Sequence, residues 1–526
     1  MKLLAKINVT KKRDYIPEKI LQQRWWILAV LCLSLLIVTI GNTSLNVALP
    51  SLSRELHATN SQLQWMVAAY SLVFAGFLFT AGTLGDRYGR KGILQMGLVL
   101  FGLTSAYAAF IASSPNTVIA ARAVMGLAGA MIMPATLSII TNVFPREERA
   151  KAVALCAGIS GSGAVLGPLM AGYILEHASW PAIFTLNLPL VVLALIAGAI
   201  LVPRTADPSN ATFDFVGAVL SIIGVSSLVY AIIEAPSRGW GSANTLSILA
   251  VSAMALAVFV WWELRVKHPM LDVRLFKTNT FGISSLTLTL LFFALYGMFF
   301  NISQLMQLVY GYSPFSAAVR FIPIAFALTI ASASSPRLVE RFGKRRVVSA
   351  GTLIVTIGIA ILATITLAPN YPHLVVAIFI TAFGIGLAMS PTTDLLMSSV
   401  PKAEAGMGSA MNDTTRELGG ALGVAVLGSL LASHYVAKLG NLFASFPAVT
   451  NQAAQGSLAG ALAVSGSVKG AAGAGLALAS KSAWLSAYRY SLIIAAIVIG
   501  IATIIAYIAL PDRAADDIPE EGFFET

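Results

Sequence analysis

Apolar residues run along this chain in long blocks separated by short polar turns. Fourteen such blocks can be read, at 26–50, 62–84, 92–113, 117–139, 151–175, 181–203, 213–235, 245–264, 280–308, 316–336, 346–367, 373–398, 406–432 and 487–510. About 20 apolar residues in a helix cross the hydrocarbon core of a bilayer. The pattern therefore predicts an all-α polytopic membrane protein with fourteen spans. One interval resists the pattern. Residues 433–486 are rich in Ala, Gly and Ser, and Leu458–Ala479 is apolar enough to mimic a span. Gly460, Gly466, Gly470, Gly473 and Gly475 weaken it as a helix. It is read as a long outer loop or hairpin that grazes the membrane.

Composition sharpens this reading. Of 526 residues, 57% are hydrophobic and 11% charged, a balance no soluble domain of this length carries. The net charge of +11 could point to nucleic acid. However, 25 of the 34 Lys and Arg fall on one side of the predicted spans, in turns and terminal segments. By the positive-inside rule that side is cytoplasmic, and an even number of spans places both termini there. Nucleic acid is accordingly not an expected partner. Residues 1–25 are basic and lead into the pair Trp25-Trp26, a cytoplasmic segment suited to anionic lipid headgroups. Residues 511–526 form an acidic cytoplasmic tail. No Asn-x-Ser/Thr sequon lies in an outer loop, which fits a bacterial plasma membrane. Cys32 and Cys156 both lie in spans and suggest no disulfide framework, and the five His offer no metal site. No phosphate-binding loop is present, so no nucleotide or other cofactor is expected; a proton gradient is the candidate energy source.

The most informative turn is Gly82-Thr83-Leu84-Gly85-Asp86-Arg87-Tyr88-Gly89-Arg90-Lys91, between the second and third spans. Its glycines allow tight backbone turns, and Asp86 can sit near a helix start or pair with a neighbouring Arg. The turn recurs in degenerate form. Leu84, Asp86, Arg87, Gly89, Arg90 and Lys91 correspond in register to Leu338, Glu340, Arg341, Gly343, Lys344 and Arg345. Such a repeat divides the chain into two six-helix halves, 26–203 and 280–510, with 204–279 carrying an inserted pair of helices. A binding cavity is expected between the halves, near mid-bilayer.

Gly82, Asp86, Gly89, Arg90 and Lys91 resemble the Gly-x-x-x-Asp-x-x-Gly-Arg-Lys/Arg signature of the major facilitator superfamily. The resemblance implies a conformational latch built from Gly82, Asp86, Gly89 and Arg90, and from Glu340, Gly343 and Lys344 in the second half. It covers most of the chain and narrows to the fourteen-helix drug:proton antiporters. Arg122 and Gly126 match that branch's Arg-x-x-x-Gly motif. Gly158, Gly163, Gly167-Pro168 and Gly172 match its antiporter motif, with Ala171 where Gly is common. Gly163, Gly167, Pro168 and Gly172 are the expected hinge, although small residues at this spacing also serve plain helix packing. Trp180–Pro189, Pro269–Phe276 and Gln307–Pro314 resemble the branch more weakly, with Pro181 where Arg is usual.

Two departures concern the acids. The first helix resembles Leu-Asp-x-Thr-x-x-Asn-x-Ala-Leu-Pro but reads Ile40-Gly41-Asn42-Thr43-Ser44-Leu45-Asn46-Val47-Ala48-Leu49-Pro50, with Gly41 in place of the acid to which protonation is assigned. Asn42 and Asn46, one turn apart, remain to bond substrate or Arg122. Arg122 itself is a functional candidate inside a span, unless it snorkels to the outer surface. The thirteenth span reads Asn412-Asp413-Thr414-Thr415-Arg416-Glu417-Leu418-Gly419-Gly420, with Glu417 in place of a usual Gln. Asp413 and Glu417 share a helix face, with Glu417 near the bilayer centre. The expectation is that Glu417, aided by Asp413, carries the proton; the alternative is a fixed Asp413–Arg416–Glu417 network that only holds helices. Asp394 is a lesser candidate with rim access.

For substrate contact the sequence offers Asn42, Asn46, Trp65, Tyr70, Arg122, Tyr296, Asn301, Gln304, Gln307 and Arg416, polar and aromatic groups suited to an amphipathic ligand. The implied activity is proton-coupled efflux of lipophilic, often cationic, drugs by a monomer, not enzyme catalysis. A dedicated exporter or flippase of a metabolite, peptide or lipid is the alternative within transport, and a receptor or scaffold without flux the alternative outside it.

Overall fold

The computed structural model describes residues 18–205, 214–267, 269–400, 405–440 and 442–511. Its architecture is all-α, with no strand among the described residues. Among the described residues fourteen helices are long and apolar enough to cross a membrane, which makes this a multi-pass membrane protein. They are α1 (Ile20–Glu55), α2 (Asn60–Tyr88), α3 (Arg90–Phe110), α4 (Pro115–Val143), α5 (Glu147–His177), α6 (Ala182–Leu201) and α7 (Phe215–Arg238). The series continues with α8 (Ala243–Glu263), α9 (Asn279–Val309), α10 (Pro314–Phe342), α11 (Lys344–Leu362), α12 (Tyr371–Ser398), α13 (Met407–Leu439) and α14 (Ala471–Ala509). The last five residues of α9, Leu305–Val309, form a π-turn. The basic N-terminal segment before residue 18 and the acidic tail from residue 512 lie outside the described residues.

The span count matches the hydrophobic pattern, but the interval 433–486 is corrected. It is largely helical. α13 runs on to Leu439, and short helices at Ala448–Gly456 and Leu458–Ser467 follow. α14 begins at Ala471, well before the apolar block at 487–510. Ala-rich sequence carries these helices despite their glycines, because each Gly costs only about 1 kcal/mol against Ala. The break falls at Gly470, whose φ of 74° is open to glycine. Leu458–Ala479 therefore does not form one span. Its first part packs on α14 and α1, with Ser53 Oγ donating to Ser457 Oγ at 3.4 Å.

The helices pair twice in the same way. In the first group α2 packs on α4, α1 on α5, α3 on α4, and α6 on α1 and α3. In the second, α10 packs on α12, α9 on α13, α11 on α12, and α14 on α9 and α11. Two turns anchor the correspondence: Gly89 (φ 114°) and Gly343 (φ 84°) each end one helix and start the next. The inserted helices α7 and α8 pack on each other, and α7 lies along the α2–α13 seam. There Val229 and Ile233 meet Ala68, Leu72, Ala421 and Ala425.

We call the face carrying the two glycine turns the basic face, and the opposite one the far face. At the far face the two groups are stitched together. Gln307 Nε2 donates to Val47 O at 2.9 Å, Asn60 Nδ2 to Gly428 O at 3.1 Å, and Ser429 Oγ to Gln64 Oε1 at 3.1 Å. At the basic face each ion pair among the described residues stays within one group. α5 shows the contrast. Toward its far-face end a Cβ on Gly172 would lie 2.9 Å from Ala318 Cβ, Phe315 Cα and Pro314 O of α10. Toward the basic face Leu155 and Ile159 are exposed, and Gly158 and Gly161 have nothing within 4 Å. The hydrogen bonds between the two groups thus gather at the far face, and toward the basic face Phe79 of α2 packs against the cluster of Phe281, Leu396 and Met411 in the second group.

Gly172→Val is therefore expected to pry the far-face seam apart. Overpacking of this kind costs about 1–3 kcal/mol, enough to shift a two-state balance by about 5- to 150-fold. Labelling of single cysteines at far-face ends of α5 and α10 should rise accordingly; unchanged labelling would show that this contact does not hold the seam.

Candidate functional site

The centre of the molecule is organised by one buried cation. Arg122 of α4 is 0% exposed and does not snorkel. Its guanidinium donates three hydrogen bonds: Nη1 to Gly41 O at 2.9 Å, Nη2 to Asn42 Oδ1 at 3.1 Å and Nε to Met66 O at 3.0 Å. Its charge also lies over the Tyr70 ring, 4.3 Å from the centroid. A guanidinium with three acceptors and an aromatic face tolerates burial that an unpaired charge would not. Gly126, one turn on, makes this possible. A Cβ there would run into Tyr70 O, so only glycine lets α4 approach α2 so closely.

Asn42 relays this cluster across the molecule: its Nδ2 donates to the Tyr296 hydroxyl oxygen of α9 at 3.3 Å. The Tyr296 ring rests on α13 at Gly420, one turn from Glu417. Glu417 faces Ser71 of α2 and interacts electrostatically with Arg122, Arg416 and Asp413. Its Oε2 is buried without a hydrogen-bond partner, as is Ser71 Oγ. Asp413 accepts from Asn412 Nδ2 at 3.2 Å, whereas Arg416 Nη2 donates to Thr393 Oγ1 at 3.2 Å and its charge lies 5.4 Å from the Phe292 ring centroid. No ion pair links Asp413, Arg416 and Glu417 among the described residues. All three side chains are half-buried.

Other candidates sit elsewhere. Trp65 turns away from the cluster: its Nε1 donates to Glu234 Oε1 of α7 at 3.1 Å and its ring packs on Tyr230. Tyr70 is fully buried beneath Arg122, a support for it rather than a group open to a ligand. Asn46 is buried and makes no side-chain hydrogen bond among the described residues. Asn301, Gln304 and Gln307 lie deep toward the far face. Both polar atoms of Asn301 lack partners, Gln304 Nε2 reaches only Phe300 O at 3.4 Å, and Gln307 belongs to the far-face seam.

The missing first-helix acid has a structural counterpart. A Cβ on Gly41 would lie 2.6 Å from Phe101 Cζ, so this position faces α3 and is filled. Gly41→Asp is expected to lower thermal stability by about 1–3 kcal/mol through overpacking and an unpaired buried carboxylate. A melting curve of the purified variant checks this; an unchanged midpoint would mean that Phe101 yields freely.

The glycine turns build two matched clamps. Arg90 Nε donates to Asp86 Oδ1 at 2.7 Å, its Nη1 reaches Ser138 O of α4 at 3.4 Å, and Ser138 Oγ donates to Asp86 Oδ1 at 3.4 Å. In the second group Lys344 Nζ pairs with Asp394 Oδ2 of α12 at 2.6 Å. Asp394 is thus a largely exposed rim acid in a clamp, remote in chemistry from the central cluster. Glu340 is exposed and makes no such pair among the described residues. α5 passes through Gly167-Pro168 as one unbroken helix. Gly163 and Gly167 seat it on Thr39, Ile40 and Thr43 of α1, and Thr43 Oγ1 donates to Gly163 O at 3.0 Å. Gly82 lies in ordinary contact with Pro134 of α4. Sequence reasoning did not single out Ser71, Thr393 or Ser138. Their only signal was a hydroxyl within an apolar run. Among the described residues no three His, Cys, Asp or Glu side chains gather as a metal would need.

Two like-paired helix groups, closed at one membrane face around a buried polar cluster, define a transporter of the polytopic helical class. The chain belongs to the Major Facilitator Superfamily, whose family model matches residues 31–424. Among curated relatives, the multidrug efflux pump LfrA of Mycolicibacterium smegmatis is 34% identical over 90% of this chain and 94% of its own. The multidrug resistance protein Stp of Mycobacterium tuberculosis is 34% identical over 77% and 76%. The methyl viologen resistance protein SmvA of Salmonella typhimurium is 32% identical over 79% and 84%. Among solved structures, a bacterial homolog of the human lysosomal transporter Spinster, in an inward-facing and unoccupied conformation, superposes with a TM-score of 0.65 at 17% identity, covering 94% of this chain and 98% of that one. A D-xylose-proton symporter gives 0.60 at 14% identity, covering 93% and 98%. These structures speak to the fold.

Proposed function

We propose that this protein exports lipophilic and cationic toxic compounds in exchange for protons, by alternating access, with its basic face and both termini in the cytoplasm of a bacterium. The relatives named for multidrug efflux, drug resistance and methyl viologen resistance support the substrate class. The observation that carries the coupling is Glu417, a carboxyl with an unpartnered oxygen beside the Arg122–Asn42–Tyr296 chain. In the state open to the basic face, a cationic substrate competes with the proton for this carboxylate. Binding one excludes the other. When the halves 26–203 and 280–510 rock and the far face opens, a proton from the acidic side displaces the substrate. Asp413, one turn away, is the auxiliary acid. Arg122 does not titrate in this scheme; it holds Asn42 and the α1–α2–α4 backbones so that the Tyr296 contact breaks and reforms with the rocking motion. The inserted pair at 204–279 covers the α2–α13 seam.

Cells that express the protein should tolerate several-fold more ethidium and methyl viologen than cells expressing Glu417→Gln at equal membrane abundance. Equal tolerance of both cell lines to both compounds would contradict the proposal.

A further inference from the structure

Outside the central cluster, the surface between α11 and α14 carries a groove of about 450 Å³. It starts at the basic face with Arg346, which is exposed. Ser349, Leu353, Thr503, Ile504 and Tyr507 line the rest. Arg346 to Leu353 spans two turns of α11, roughly 10 Å along its axis. The groove is thus cationic at the membrane–water boundary and apolar below it. Between these parts lies Ser349, 6% exposed, whose Oγ has no hydrogen-bond partner. Arg345 stacks on Tyr507 at 5.5 Å and fixes one wall of the charged end.

We propose that this groove is a site for one anionic phospholipid, its phosphate on Arg346 and its upper acyl chain on Leu353 and Ile504. A groove that runs from a cation at its rim to hydrocarbon within two helical turns has the polarity profile of such a lipid, and basic sites between helices at the cytoplasmic surface recognise anionic headgroups. The site holds together the third and sixth helices of the second group, so its occupancy stabilises that pairing.

The test is native mass spectrometry of the full-length protein with phosphatidylglycerol or phosphatidylcholine of identical chains. The wild type should retain phosphatidylglycerol at least fivefold better than phosphatidylcholine. Arg346→Ala should abolish the preference, Arg346→Lys should keep most of it, and Leu353→Trp, which fills the groove, should lower retention of phosphatidylglycerol. Equal retention of the two lipids by the wild type overturns the proposal, as does a preference that survives both Arg346→Ala and Leu353→Trp in proteins that melt like the wild type. Retention seen only after removal of residues 512–526 assigns the groove to the acidic tail instead and also overturns it.

Discussion

Glu417→Gln is expected to abolish gradient-driven efflux while leaving a folded protein in the membrane. The two side chains have the same shape, and Glu417 makes no ion pair among the described residues that the change would break. The hydroxyl it faces is that of Ser71, to which an amide oxygen can serve as acceptor as well. What disappears is a charge. At an effective dielectric of 20, two unit charges 4 Å apart attract by about 4 kcal/mol. Losing that attraction weakens binding of a monovalent cation by roughly a hundredfold or more. The amide also cannot accept or release a proton, so any residual flux should ignore the gradient. Asp413→Asn should have the smaller effect, because its carboxylate is already engaged with Asn412. If Asp413→Asn silences coupling and Glu417→Gln does not, the proton carrier is one turn away from where we place it.

The second large effect is expected at Arg122. Arg122→Ala removes the donors to Gly41 O, Asn42 Oδ1 and Met66 O. Asn42 Oδ1 would be left buried without this donor, at about 1–3 kcal/mol, the Gly41 and Met66 carbonyls would keep only their helical partners, and the cation over Tyr70 is lost as well. The variant should melt well below the wild type and transport nothing. Arg122→Lys should rescue little. A single ammonium cannot reach three acceptors that a planar fork reaches from three nitrogens. A wild-type melting midpoint in Arg122→Lys, with full transport, would show that Arg122 acts only as a charge.

The sequence carried the number of spans because each must bury its backbone bonds in about 20 apolar residues, whatever its neighbours do. It carried the repeat because a turn that needs positive φ at Gly89 and Gly343 keeps its glycine. It misplaced the start of α14, since an Ala-rich helix that projects beyond the bilayer looks like a loop to a hydropathy pattern. The site was legible in its charged members and obscure in their partners. Arg122 stood out in an apolar run, yet two of its three acceptors are the backbone oxygens of Gly41 and Met66, which no residue type announces. Direction was equally hidden. Trp65 and Tyr296 look alike on paper as aromatics in spans, but one turns to Glu234 of α7 and the other to Asn42 at the centre. Likewise Asp394 and Asp413 are both acids in spans, and only the fold gives the first a lysine at the rim.

The measurement that bears most directly on the account is ethidium movement in reconstituted vesicles across an imposed proton gradient, with a protonophore added midway. The account predicts uphill accumulation in the wild type that collapses with the protonophore, and none in Glu417→Gln. Ethidium movement that neither the protonophore nor the loss of Glu417 alters would contradict proton exchange at this site. Binding without movement would contradict transport itself.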